Sequence, residues 1–194
     1  RGAYGRYPTH GGFDQMTAIV GGLWDSLLGE GRKWWITATS DSHVHWTRGG
    51  SDFWPGEYSK TYVKATTDYA DVMDGIRHGR LFVTTGDLVR TLDVSATSGG
   101  AYATSGETLK VRRGKRGGDV TVEVRFTPLG RKNGNGDVPQ VRRVDVIVGD
   151  VTGPSADRDH ATNPTTKVVG RYGPSDFRRR GGELVVTHTL RDVQ

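Results

Sequence analysis

Hydrophobic and polar positions follow one period in the first half of this chain and another in the second. Phe13, Met16, Ile19, Val20, Leu23, Trp24, Leu27 and Leu28 recur at three- and four-residue spacing, which predicts an amphipathic helix over residues 13–29. The Gly21-Gly22 pair inside it weakens a helix by about 1 kcal/mol per residue relative to Ala and points to a close packing contact. Gly29-Glu30-Gly31 supplies the C-cap. The apolar run Trp34-Trp35-Ile36-Thr37-Ala38-Thr39 then reads as a strand buried on both faces, the kind that belongs to parallel sheets. Residues 60–65 alternate as a second strand. Thr66 or Thr67 caps a short helix carrying Tyr69, Val72, Met73 and Ile76, which Gly79 stops, and residues 81–85 form another buried strand. This half is α/β in character.

From residue 90 only short alternating runs remain, at 91–96, 108–113, 120–126, 141–148, 167–172 and 184–190, separated by Gly, Asn, Asp or Pro clusters. Valines two apart, as in Val120, Val122, Val124 and Val144, Val146, Val148, give each strand one buried and one wet face. Six such strands without a helix predict an antiparallel β-sandwich, with Arg125, Arg142 and Asp145 on wet faces. The expected organisation is therefore an α/β part over residues 1–89 and an all-β part over residues 90–194.

Composition narrows the function classes. The absence of Cys excludes disulfides, thiolate metal sites and Cys nucleophiles, and the absence of a Gly-x-Ser-x-Gly elbow argues against a Ser hydrolase. No apolar stretch approaches the roughly 20 residues of a membrane span, and no basic-then-apolar targeting segment opens the chain. The compartment stays undecided. Opening on Arg1 rather than Met, the chain is expected to be a piece of something longer. Its formal charge of +5 is uneven: residues 1–97 carry 10 Lys and Arg against 11 Asp and Glu, and residues 98–194 carry 17 against 11. The clusters Arg112-Arg113-Gly114-Lys115-Arg116 and Arg178-Arg179-Arg180 lack interleaved aromatics for base stacking, so they read as solvated loop charge rather than a nucleic-acid surface.

The strongest chemical signal follows the first apolar run, where Asp41-Ser42-His43 stands at its C-terminal end. A carboxylate and a neutral imidazole two residues apart can turn toward one divalent cation, Zn, Mn, Fe or Mg. The plain alternative for His43 is a strand-end histidine hydrogen-bonded to backbone. Residues 46–58 carry four aromatics in a stretch too long for a simple connector, which predicts a rim or lid over the site. His45 and Arg48 are the nearest candidates for gripping an anionic substrate, Arg by its planar fork. His10, His78, His160 and His188 are read as structural or surface residues, His78 and His188 for want of an acidic neighbour at ligand spacing.

Three segments together carry a resemblance: Asp41-Ser42-His43, the aromatic stretch Asp52-Phe53-Trp54-Pro55-Gly56-Glu57-Tyr58, and Ile76-Arg77-His78-Gly79-Arg80-Leu81-Phe82-Val83-Thr84-Thr85-Gly86. They resemble the last part of a PHP-superfamily metallohydrolase, the superfamily named for polymerase and histidinol phosphatase. The likeness is best over residues 13–110. It implies the end of a distorted (β/α)7 PHP-type barrel over residues 1–89, followed by an antiparallel β-sandwich, and a phosphoesterase activity that uses two or three divalent metal ions. It also implies that Asp41 and His43 are metal ligands and that Asp41 helps orient the nucleophilic water. The family's opening His-x-His motif and intermediate ligands have no counterpart here, since the single His-x-His is His43-Val44-His45 itself. A site with three protein ligands would then need an N-terminal barrel segment, in the same polypeptide or in trans, and the fragment alone would be inactive. The expected substrate is a small phosphorylated or otherwise anionic molecule, with no membrane or nucleic-acid partner. The rival class is a non-catalytic β-rich module that binds carbohydrate or a polyanion.

Overall fold

A computed structural model of the chain describes residues 15–40, 42, 56, 59–111, 118–157, 159 and 162–193. Within them, in order, lie α1 (Gln15–Ala18), α2 (Leu23–Gly29), β1 (Ser59–Val63), α3 (Tyr69–Arg77), β2 (Leu81–Thr85), β3 (Val89–Ser98), β4 (Ala101–Thr104) and β5 (Gly118–Pro128). They are followed by β6 (Val144–Val148), β7 (Lys167–Tyr172), a 3-10 turn at Pro174–Asp176, β8 (Arg178–Arg180) and β9 (Glu183–Val193). A five-stranded sheet has the order β4-β3-β5-β9-β8, and β1-β2 and β6-β7 form two-stranded sheets. The chain divides into two compact units, one ending at Trp34 and resuming over Asp145–Arg171, the other taking Trp35–Val144 and Tyr172–Gln194.

The five-stranded sheet is antiparallel throughout and follows the valine alternation. Leu92, Phe126 and Leu184 stand opposite one another across β3, β5 and β9, as do Val94, Val124 and Val186. Phe126 and Val186 are the most deeply buried hydrophobic side chains among the described residues, and Val141, Val144, Tyr172 and Phe177 pack onto the same cluster. Phe177 meets Phe126 edge-on with ring centroids 5.3 Å apart. Burying a side chain such as Phe126 contributes about 1.5–3 kcal/mol. The opposite face carries buried Val185 among polar residues, and Glu123 there accepts Arg180 at 3.3 Å and lies 3.7 Å from Arg125.

Several expectations change. Residues 178–180 are an exposed strand at the sheet edge rather than a loop. Charge reported their exposure but not their backbone, and arginines on an edge strand discourage pairing with another chain. Residues 108–111 are irregular, because Glu107 closes a turn with Thr104, and the strand instead precedes that turn as β4. Strands β6 and β7 form their own sheet rather than joining the larger one. Residues 112–117 lie outside the described residues, and so does the first basic cluster.

The helix expected over 13–29 is two helices. Gly21 adopts φ +79, its N–H is capped by Asp25 Oδ2 at 2.6 Å, and its carbonyl accepts the Asn163 backbone N–H at 2.9 Å. The glycine pair thus breaks the helix where another segment docks. A Cβ on Gly21 would stand 3.1 Å from the Asn163 carbonyl oxygen. In the same unit, Asn163 is 2 % exposed, and its side-chain amide donates to the carbonyls of Asp25 (3.3 Å) and Asp150 (3.0 Å).

The β1-α3-β2 segment is not a parallel βαβ crossover. β1 and β2 pair antiparallel, with Val63 opposite Leu81 and Tyr62 stacked on Phe82 at 4.7 Å. Nine-residue α3 and the Gly79 turn (φ +70) return the chain to where β1 ended, and Lys64 N–H donates to Arg80 O at 2.8 Å. The helix is therefore an insertion in a hairpin connection. Its N-cap is Asp68, which accepts from Asp71 N–H, rather than Thr66 or Thr67.

Candidate functional site

The period-2 alternation of β1 assigns its two faces. Ser59, Thr61 and Val63 share one face, and Lys60 and Tyr62 the other. The first face holds the run that sequence reading took for a buried strand. Residues 32–40 carry no strand assignment, yet residues 38–40 are bonded to β1 through side-chain hydroxyls. Thr61 Oγ1 accepts from Ala38 N–H at 2.8 Å and donates to Ala38 O at 2.9 Å. Ser59 Oγ donates to Thr39 O. Two hydroxyls thus satisfy backbone groups that a ladder would otherwise satisfy.

Buried Ser40 ends this run. Its hydroxyl donates to Ser59 O at 3.4 Å and accepts from Gly56 N–H at 2.8 Å. Residues on either side of the 41–55 stretch are therefore tied together over β1. An open groove lies here, lined among others by Thr39, Ser40, Ser42, Gly56, Ser59 and Lys60. Lys60 also pairs with Asp87 at 2.5 Å, and Asp87 holds φ 54 in the turn between β2 and β3. Asn133 Nδ2 donates to Gly86 O at 3.1 Å and braces that turn.

Helix α3 supports the same assembly. Gly75 lets it close on β1, since a Cβ there would stand 2.5 Å from Val63 Cγ1. Trp35 covers Gly79 and donates its indole N–H to Arg77 O at 3.0 Å. Gly106, at φ +85, lies directly against the His78 carbonyl, so a side chain at that position would meet backbone. Arg80 joins Asp74 (2.8 Å) and Asp71 (3.2 Å). The Asp71 carboxyl is held below its ordinary pKa first by hydrogen bonds from Thr66 and then by Arg80. Asp74 is held low first by its hydrogen bond from Arg80, with His78 adding to the effect.

The four residues singled out for chemistry, Asp41, His43, His45 and Arg48, lie outside the described residues, as do His10, His160 and the aromatic stretch except Gly56. Among the described residues no three His, Asp or Glu side chains are grouped so as to hold a metal ion. His78 does have an acidic neighbour, Asp74, 2.9 Å from its Nδ1 and one helical turn away, contrary to the sequence reading. His188 Nδ1 lies 2.7 Å from the Tyr172 hydroxyl. Sequence reading missed Ser40, Ser59, Lys60 and Thr61. The signal was present in the alternation of Ser59-Lys60-Thr61-Tyr62-Val63, which puts two hydroxyls on one face.

What the described part of the site does chemically is to fix an anchor. It ties residue 40 to β1 and to Gly56, with the hydroxyl protons of Ser40, Ser59 and Thr61 committed to backbone carbonyls and the Lys60 ammonium committed to Asp87. No family model, curated protein or solved structure matches the chain. No helix among the described residues is long and apolar enough to cross a membrane.

Proposed function

We propose that this chain is the C-terminal part of a divalent-metal-dependent hydrolase of the PHP type, acting on a small phosphorylated or otherwise anionic substrate. The observation that supports the reading is the anchoring of Ser40. The residue immediately before Asp41 is buried and hydrogen-bonded both to β1 and to Gly56 at the far end of the 41–55 stretch. A metal ligand needs such a fixed departure point, because affinity depends on ligand orientation as well as ligand identity.

In this reading Asp41 and His43 each contribute one ligand atom, Asp41 also orients the attacking water, and His45 and Arg48 grip the anionic group of the substrate. A divalent ion held there lowers the pKa of water toward neutrality and polarises a phosphoryl oxygen. Two protein ligands leave such a site open. In this reading the remaining ligands come from a preceding barrel segment, in the same polypeptide or in trans.

Equilibrium dialysis of the chain against Mn2+ or Zn2+, followed by metal analysis, tests this. The wild-type chain retains metal, and Asp41→Ala and His43→Ala each weaken retention on the order of tenfold or more. Metal retained by the wild-type chain and equally by both variants would show that Asp41 and His43 are not ligands.

A further inference from the structure

The hydrolase reading leaves unused a pocket in the larger unit. It has a volume of about 330 Å3, and its walls include apolar Leu81, Phe82 and Leu92 and basic Lys64, Arg80 and Arg90. That volume is at the small end of the roughly 300–1,000 Å3 range of ligand pockets, enough for one ring and a charged group.

The three cations are not equivalent. Arg80 is committed to Asp71 and Asp74, and Lys64 lies 3.8 Å from Asp93, which lines the same pocket. The Arg90 guanidinium makes no hydrogen bond or ion pair among the described residues.

Its position in β3 has a specific cause. Pairing with β5 steps from Val89 opposite Pro128 to Thr91 opposite Thr127, so Arg90 is the extra residue of a β-bulge. Strict alternation would place residue 90 on the same face as Leu92 and Val94, which pack against the apolar core. A bulge re-aims a side chain in just this way. The result is an unpaired guanidinium, exposed to solvent, at the mouth of a partly apolar pocket.

We propose that this pocket binds a small aromatic anion, a single six-membered ring carrying a carboxylate or phosphate. The ring lies against Phe82 and Leu92, and the anionic group takes the planar fork of Arg90 in a bidentate contact. Phe82 is a stable wall for a ring because it is already stacked on Tyr62, with 6° between the ring planes. Lys64 adds positive potential, and its partner Asp93 selects against a second negative charge far from Arg90. The site is independent of the proposed metal chemistry.

The test is a titration of the 15N-labelled chain with benzoate and with phenyl phosphate, followed by backbone amide shifts in EDTA, so that bound metal plays no part. Shifts at Leu81, Phe82, Arg90 and Leu92 should saturate with at least one of the two, and the tighter one identifies the headgroup. Inorganic phosphate and benzyl alcohol, which carry the charge or the ring alone, should bind at least tenfold more weakly. Arg90→Ala should weaken the tighter probe on the order of tenfold or more, while exposed Arg131→Ala leaves it unchanged. Arg90 is exposed, so its replacement leaves the fold intact. The proposal is overturned if neither probe gives saturable shifts, if Arg90→Ala binds like wild type, or if inorganic phosphate alone binds as tightly as the aromatic anions.

Discussion

Thr61→Val is the sharpest test of how the candidate site is positioned. Valine keeps the shape and strand preference of threonine but removes the hydroxyl. That hydroxyl accepts from Ala38 N–H at 2.8 Å and donates to Ala38 O at 2.9 Å, so one substitution strips both bonds from a single residue of the 35–40 segment. Each net hydrogen bond is worth about 0.5–1.5 kcal/mol. Thr61 and Ala38 are only half-buried, so water recovers part of the loss. The expected local cost is about 1–2 kcal/mol, which corresponds to about a 5- to 30-fold increase in local opening. Amide hydrogen exchange of residues 36–40 reads this directly. Thr61→Ser, which keeps the hydroxyl, should exchange within about threefold of wild type on the same scale. Unchanged exchange in Thr61→Val, or equal acceleration in the Ser and Val variants, would mean that the hydroxyl does not hold the segment.

Two other perturbations follow from the polar networks. Asn163→Ala removes two donors to the carbonyls of Asp25 and Asp150 and an acceptor used by the Thr165 N–H and hydroxyl. The smaller unit has little else to hold it, since Val146 is its one buried hydrophobic side chain among the described residues. We expect a loss of about 2–4 kcal/mol, read as accelerated exchange across residues 23–31 and 145–152, and a change under about 0.5 kcal/mol would refute it. The second perturbation is acid. Because the folded pKa values of Asp71 and Asp74 are depressed, their contribution to stability is fully present above the unfolded value near 3.8 and is lost as pH falls through the folded values. The Asp71→Asn, Asp74→Asn double variant should therefore lose less stability than wild type between about pH 4 and pH 2, measured by urea unfolding at each pH. Identical pH slopes would remove these carboxylates from the acid response.

The sheet strands β3, β5 and β9 were legible in the sequence, because alternation of Val120, Val122 and Val124 with polar residues records which face is buried. Which partner satisfies the backbone is another matter, and there the pattern is silent. The apolar run before Asp41 is bonded to β1 as a strand would be, but the groups facing its backbone are the hydroxyls of Ser59 and Thr61 rather than a ladder. Gly21-Gly22 announced a close contact without naming Asn163, more than a hundred residues away. Arg178-Arg179-Arg180 announced exposure, and an exposed edge strand satisfies that as well as a loop does. In each case local pattern fixes the environment of a residue, while its long-range partner is chosen by topology. The same division governs the candidate site. Asp41 and His43 were conspicuous because their side chains are chemically distinctive, whereas the residues that set their departure point, Ser40, Ser59 and Thr61, are of types that are common everywhere. On the proposed reading, substituting Asp41 or His43 removes a ligand whatever holds it. Substituting Thr61 leaves every ligand in place and alters only the anchor, so a fall in metal retention in Thr61→Val would link that anchor to binding.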